Sequence, residues 1–88
     1  MAPADYEAIR NLKALYFRYL DTRRWQDLKS LLTDDFVGDY GASDEEQFSG
    51  PEAFLEGLQS NLEGATTVHH GHMPEIAFQD VDHASAIW

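Results

Sequence analysis

Between Asp5 and Leu20 the apolar side chains recur at Ile9, Leu12, Leu15, Tyr16, Tyr19 and Leu20, the i, i+3, i+4, i+7 rhythm of a helix with one buried face. A chain that opens on such a helix has to build its other elements as a cover for that stripe. Arg10, Lys13 and Arg18 fall on the other side, where they are expected to face water. The rhythm pauses at Asp21-Thr22 and resumes at Trp25, Leu28, Leu31 and Leu32, which predicts a second, shorter helix with Thr22 or Asp21 as its N-cap.

Thr33-Asp34-Asp35 interrupts the pattern, and Phe36 to Tyr40 reads as a strand whose Phe36, Gly38 and Tyr40 share one face. An acidic loop from Gly41 to Ser49 leads to Pro51, pre-organised for a first helical turn, and Phe54, Leu55, Leu58 and Leu62 give the third helix its apolar face. Gly64 is placed to end it. Beyond it the signal turns to β: Thr66 to Met73, a bend at Pro74, Glu75 to Phe78, a turn over Gln79 to Asp82, and a strand opening at His83. The order helix, helix, strand, helix, strand, strand predicts an α+β domain, an antiparallel sheet with helices on one face. With 88 residues the chain has room for a single domain, residues 1–88. Ala86-Ile87-Trp88 is too apolar for an exposed edge, so further strands are expected to complete the sheet, with this chain as the N-terminal part of the fold.

Composition narrows the function classes. A net charge of -10 repels a phosphate backbone, which argues against nucleic acid as a partner. The absence of cysteine removes disulfides, thiolate nucleophiles and cysteine-based metal sites. No long apolar run suggests a membrane span, and the first residues lack the basic and apolar regions of a signal peptide, so a cytoplasmic location is expected. Chemistry is left to histidines, carboxylates and hydroxyls.

Asp21 follows the stripe of the first helix, in a last turn where the helix dipole disfavours a negative charge. It either has a function there, caps the next helix, or pairs with Arg23 or Arg24. His69, His70 and His72 form the second cluster. On a strand His70 and His72 share a face and His69 takes the other, so a zinc site would draw on His70 and His72 and need further ligands; the alternative is half-exposed strand histidines. A histidine and an aspartate brought together in an apolar cavity make a proton-transfer dyad, because the carboxylate fixes the imidazole tautomer and stabilises the imidazolium. Tyr16, Tyr19 and Tyr40 can add hydroxyls, although a tyrosine on an apolar stripe also serves as core.

Tyr16-Phe17-Arg18-Tyr19-Leu20-Asp21, then Trp25, Leu28 and Leu31 to Phe36, then Gly38-Asp39-Tyr40, Gly50 to Phe54 and Thr67 to His72 resemble the SnoaL-like branch of the nuclear transport factor 2-like superfamily, over nearly the whole chain. The resemblance implies a cone-like, curved antiparallel sheet wrapped around the N-terminal helices, with a deep apolar pocket at the open end. Relatives include scytalone dehydratase, limonene epoxide hydrolase, ketosteroid isomerase and polyketide cyclases, besides members that only bind or assemble, so the fold does not fix the reaction. Against the dehydratase pattern, Asp21 matches the aspartate behind the catalytic histidine, His69 that histidine, and Tyr40 a substrate-side tyrosine; Leu20 stands where the dehydratase has a tyrosine. A second histidine and a serine of that site belong to strands beyond Trp88. The resemblance thus implies a pocket enzyme, without cofactor or metal, that abstracts a proton from a small apolar carbonyl compound and dehydrates or isomerises it. The alternative is a non-catalytic ligand-binding or assembly module. Homodimerisation is implied by the resemblance alone.

Overall fold

The computed structural model describes residues 3–41 and 47–88. Along the chain run α1 (Pro3–Asp21), α2 (Trp25–Lys29), β1 (Val37–Asp39), β2 (Gln47–Ser49), α3 (Pro51–Asn61), β3 (Glu75–Phe78) and β4 (Ala84–Ile87). The class is α+β, as expected. Among the described residues no helix is long and apolar enough to cross a membrane.

The sheet departs from expectation. Instead of one curved sheet, the described strands form two antiparallel pairs, β1 with β2 (Gly38 opposite Phe48) and β3 with β4 (Ile76 opposite Ala86). The physical reason lies in residues 65–74. The strand expected over Thr66 to Met73 pairs with none of the described strands and runs as irregular chain. Side chains of the α1–α2 junction take up some of its backbone groups instead: Arg23 Nη2 donates to the Ala65 carbonyl at 2.6 Å, and Asp21 Oδ2 accepts the His69 amide at 2.8 Å. Conversely Gln47–Ser49, read as loop, forms β2; one apolar residue in three carries no detectable period. Residues 42–46 of that loop lie outside the described residues.

The helix ends follow local chemistry. Gly50, at φ 87°, precedes Pro51 in the first turn of α3, and Gly64 turns the chain at φ 75° beyond its end. The N-cap of α2 is Arg24, without a side-chain cap bond, so neither Thr22 nor Asp21 caps it. The Thr22 hydroxyl donates back to the Arg18 carbonyl at 2.6 Å.

Leu20, Leu28, Phe54, Leu55 and Leu58 form the core where the C-terminal end of α1 meets α2 and α3. The β1–β2 pair lays Phe36 and Phe48 against it. Gly38 lets β1 approach closely, since a Cβ there would stand 2.6 Å from the buried Phe54 ring. Phe36 and Phe54 pack at 4.8 Å between centroids. The N-terminal half of the α1 stripe is less covered: Leu12 is 46% exposed, and Tyr6 meets Phe78 of β3 edge-on at 5.0 Å. The accessible surface, 6551 Å², exceeds the roughly 5,200 Å² of a compact monomer of this mass, so the core is small for the chain. Lys13, expected on the water-facing side, is half-buried.

Candidate functional site

Asp21 is the last residue of α1, where the helix dipole opposes a carboxylate. Three donors offset that. The Thr67 hydroxyl donates to Oδ1 at 2.8 Å, the His69 amide to Oδ2 at 2.8 Å, and His69 Nδ1 lies 2.6 Å from Oδ1. Partial burial raises the Asp21 carboxyl, but the bonds from the His69 amide, the His69 ring and Thr67 outweigh it and hold the pKa at about 2. An ionised carboxylate can only accept. Nδ1 therefore carries a proton, and in the corresponding neutral tautomer the lone pair is on Nε2.

Thr67 and His69, two positions apart on this irregular segment, both reach Asp21. Arg23 anchors the same segment. Its φ is 60°, and its guanidinium donates to the Leu20 carbonyl at 2.7 Å, the Thr67 hydroxyl at 2.8 Å and the Ala65 carbonyl. Since Thr67 Oγ1 accepts from Arg23, its own hydrogen is turned toward Asp21. Arg23 does not pair with Asp21 as one sequence alternative had it, and Arg24 pairs with Asp27 at 2.6 Å. Thr67 and the relay from Arg23 were not foreseen; the only signal in sequence is that Thr67 stands two residues before His69.

The helix supplies the other contacts. Lys13, Phe17 and Asp21 follow one another at i, i+4 and i+8, on one line along α1. Phe17 stacks on the His69 ring at 5.9 Å and 11°, while Asp21 holds its Nδ1 edge. His69 then forms part of the wall of a cavity of about 390 Å³ that Phe17, Leu20, Phe48 and Leu58 also line. Asp21 does not line it and meets it only through His69. Tyr40 lines the same cavity, 59% exposed, with its ring stacked on Phe54 at 6.0 Å. An adjoining cavity of about 460 Å³ shares Lys13, Tyr16 and Tyr40 as walls.

Burial, and then the Tyr40 hydroxyl beside it, push the Tyr16 phenol well above its ordinary 10.0, which keeps it a neutral donor. Leu20, at the position where the dehydratase pattern has a tyrosine, is core. Tyr16, one turn earlier on the same face, lines the cavity instead. The geometry thus joins Asp21 to His69 and sets Tyr40 on the wall of the cavity that His69 lines. His70 and His72 are exposed, and His83 lies 2.8 Å from Asp80, away from this cavity. Among the described residues no three His, Asp or Glu side chains are placed to hold a metal ion.

Helices packed on short antiparallel strands define a small α+β domain. The family model of the SnoaL-like domain matches residues 2–88, and the chain belongs to that family, within the nuclear transport factor 2-like superfamily.

Proposed function

We propose that this domain is a cofactor-independent pocket enzyme, cytoplasmic in setting, that moves a proton on a small, largely apolar carbonyl compound and thereby dehydrates or isomerises it. The observation that carries this reading is the 2.6 Å contact between His69 Nδ1 and Asp21 Oδ1 behind a cavity wall. His69 Nε2 takes a proton from the carbon next to the carbonyl, and the electrons of the broken C–H bond move onto the carbonyl oxygen. Asp21 remains ionised and stabilises the imidazolium. Tyr40 donates its hydroxyl to the oxygen that gains charge. The imidazolium then returns its proton, to a departing hydroxide in a dehydration or to another carbon in an isomerisation.

Exchange of α-hydrogens in deuterated water tests this without knowledge of the natural substrate. With cyclohexanone and 1-tetralone as probes, the protein is expected to speed exchange beyond the buffer rate, and His69→Ala to return it to that rate with the amide spectrum still dispersed. The exposure of Tyr40 and of His69, whose side chain is 37% accessible, favours a second reading, a module that binds such compounds without acting on them. Binding of the ketones without exchange would establish that second reading, and accelerated exchange that His69→Ala leaves unchanged would remove His69 as the base.

A further inference from the structure

We infer that Lys13 is an anion-binding pole of the cavity, and that the compound bound there carries a carboxylate on its apolar body. This deepens the proposed function and rests on its assignment of the cavity as the substrate site. Among the described residues no Asp or Glu side chain lines the cavity of His69 and Tyr40; its described titratable walls are Lys13, Tyr16, Tyr40 and His69. Asp39 borders the adjoining cavity, but its carboxylate is engaged by the Gly41 amide at 3.1 Å and Gln47 Nε2 at 3.2 Å. Among the described residues, the recess beside Lys13 thus has no carboxylate wall.

The other described cations are engaged elsewhere. Arg10 pairs with Glu7, Arg24 with Asp27 and Lys29 with Glu52, while Arg23 is spent on backbone and Thr67; Arg18 lies over Tyr19, away from the cavity. Lys13 has no carboxylate partner among the described residues. Its ammonium sits among three rings, 4.9 Å from the centroid of Tyr16, 5.0 Å from Phe17 and 5.6 Å from Trp88. Ring faces attract the charge but accept none of the three N–H bonds an ammonium offers in the way a carboxylate does. A bound carboxylate would take those donors without displacing the rings, which would flank the ligand's apolar body. Phe17 ties this pole to the dyad, since one ring touches both the ammonium and the His69 imidazole.

Benzoate and its uncharged isostere benzamide are the probes, titrated into the whole chain and followed by the amide and side-chain NMR signals of Lys13, Phe17 and His69. Benzoate is expected to bind about tenfold more tightly than benzamide, the scale of one charge-assisted hydrogen bond at a half-buried site. The preference should vanish in Lys13→Gln, persist in Lys13→Arg, and in the unaltered protein weaken as salt is raised. Equal binding of the two probes, binding of neither, shifts that map away from Lys13, or a preference that survives in Lys13→Gln would each overturn the inference. The salt dependence decides the matter on the unaltered protein if a variant fails to fold. Turnover is not read here, so the exchange experiment on His69→Ala and this titration can fail separately.

Discussion

Asp21 grips His69 twice, its Oδ1 at 2.6 Å from the ring Nδ1 and its Oδ2 accepting the same residue's amide at 2.8 Å. The two bonds fix the backbone and the ring of His69 together, so the tautomer and the ring's orientation at the cavity have one common cause. Asp21→Asn keeps the shape but removes the charge that stabilises an imidazolium. On the proposed mechanism α-hydrogen exchange should fall by about 10²- to 10⁴-fold, with the fold retained. Exchange within a factor of a few of the unaltered protein would remove Asp21 from the mechanism.

The same carboxylate gives the domain an acid limit. Its pKa is about 2 in the folded protein against an ordinary 3.8, so at intermediate pH the unfolded chain binds more protons than the native one. The resulting stabilisation is complete above about pH 4 and disappears as pH falls through 2. Denaturant midpoints of the unaltered protein should therefore drop across that window more steeply than those of Asp21→Asn. Parallel curves would show that the network stores no pH-linked stability.

Thr67 tests how the dyad is positioned. Thr67→Val keeps the shape and loses the hydroxyl that Arg23 orients toward Asp21; Thr67→Ser keeps the hydroxyl. The Asp21 carboxyl, followed by carbon NMR, should titrate higher in the valine variant and near its original value in the serine variant. The valine change should also cost about 1.5–3 kcal/mol, the worth of a hydrogen bond to a charged group. Identical Asp21 titration in both variants would mean that Thr67 merely lies nearby.

How far these features are legible in the sequence depends on how local their causes are. The helices arise from spacing within one segment, and α1 and α3 lie close to where Ile9 to Leu20 and Pro51 to Leu62 put them. Strand pairing is non-local. Nothing within Gln47 to Ser49 announces β2, and nothing within Thr66 to Met73 reveals that none of the described strands pairs with it. Asp21 stands out because a carboxylate at a helix C-terminus is locally disfavoured. Its contact with His69, 48 positions away, comes into view through resemblance rather than residue physics, and the roles of Arg23 and Thr67 not at all. Lys13 departs from expectation because its charge points to water, whereas at 100° per residue it stands on the flank of the apolar stripe beside Ile9 and Leu20, and Phe17 and Trp88 lie against it there.

Arg23 offers a way to separate backbone strain from side-chain anchoring. At φ 60° a non-glycine residue costs about 1 kcal/mol or more, so Arg23→Gly relieves the backbone. It also deletes three side-chain hydrogen bonds, worth about 1 kcal/mol each. The expected outcome is a net loss of about 2 kcal/mol, with faster hydrogen exchange at the His69 amide than at the amides of α3. A variant as stable as the unaltered chain, with the His69 amide equally protected, would show that the anchoring of residues 65–69 does not depend on Arg23.

Two leucines on the same chemical footing should respond very differently, because the core is confined to one end of α1. Leu28 is 0% exposed at the meeting of α1, α2 and α3, whereas Leu12 on the α1 stripe is 46% exposed. Leu28→Ala removes buried methyl groups and leaves a cavity, a loss of about 3 kcal/mol. For a domain of this size that should lower the melting temperature by about 12–24 °C. Leu12→Ala removes side-chain surface that is already partly in water and should cost well under about 1 kcal/mol. Thermal melts of the two variants check the contrast. A loss from Leu12→Ala comparable with that from Leu28→Ala would mean that the N-terminal half of α1 is covered in solution, by a second copy or by another molecule seated on the stripe.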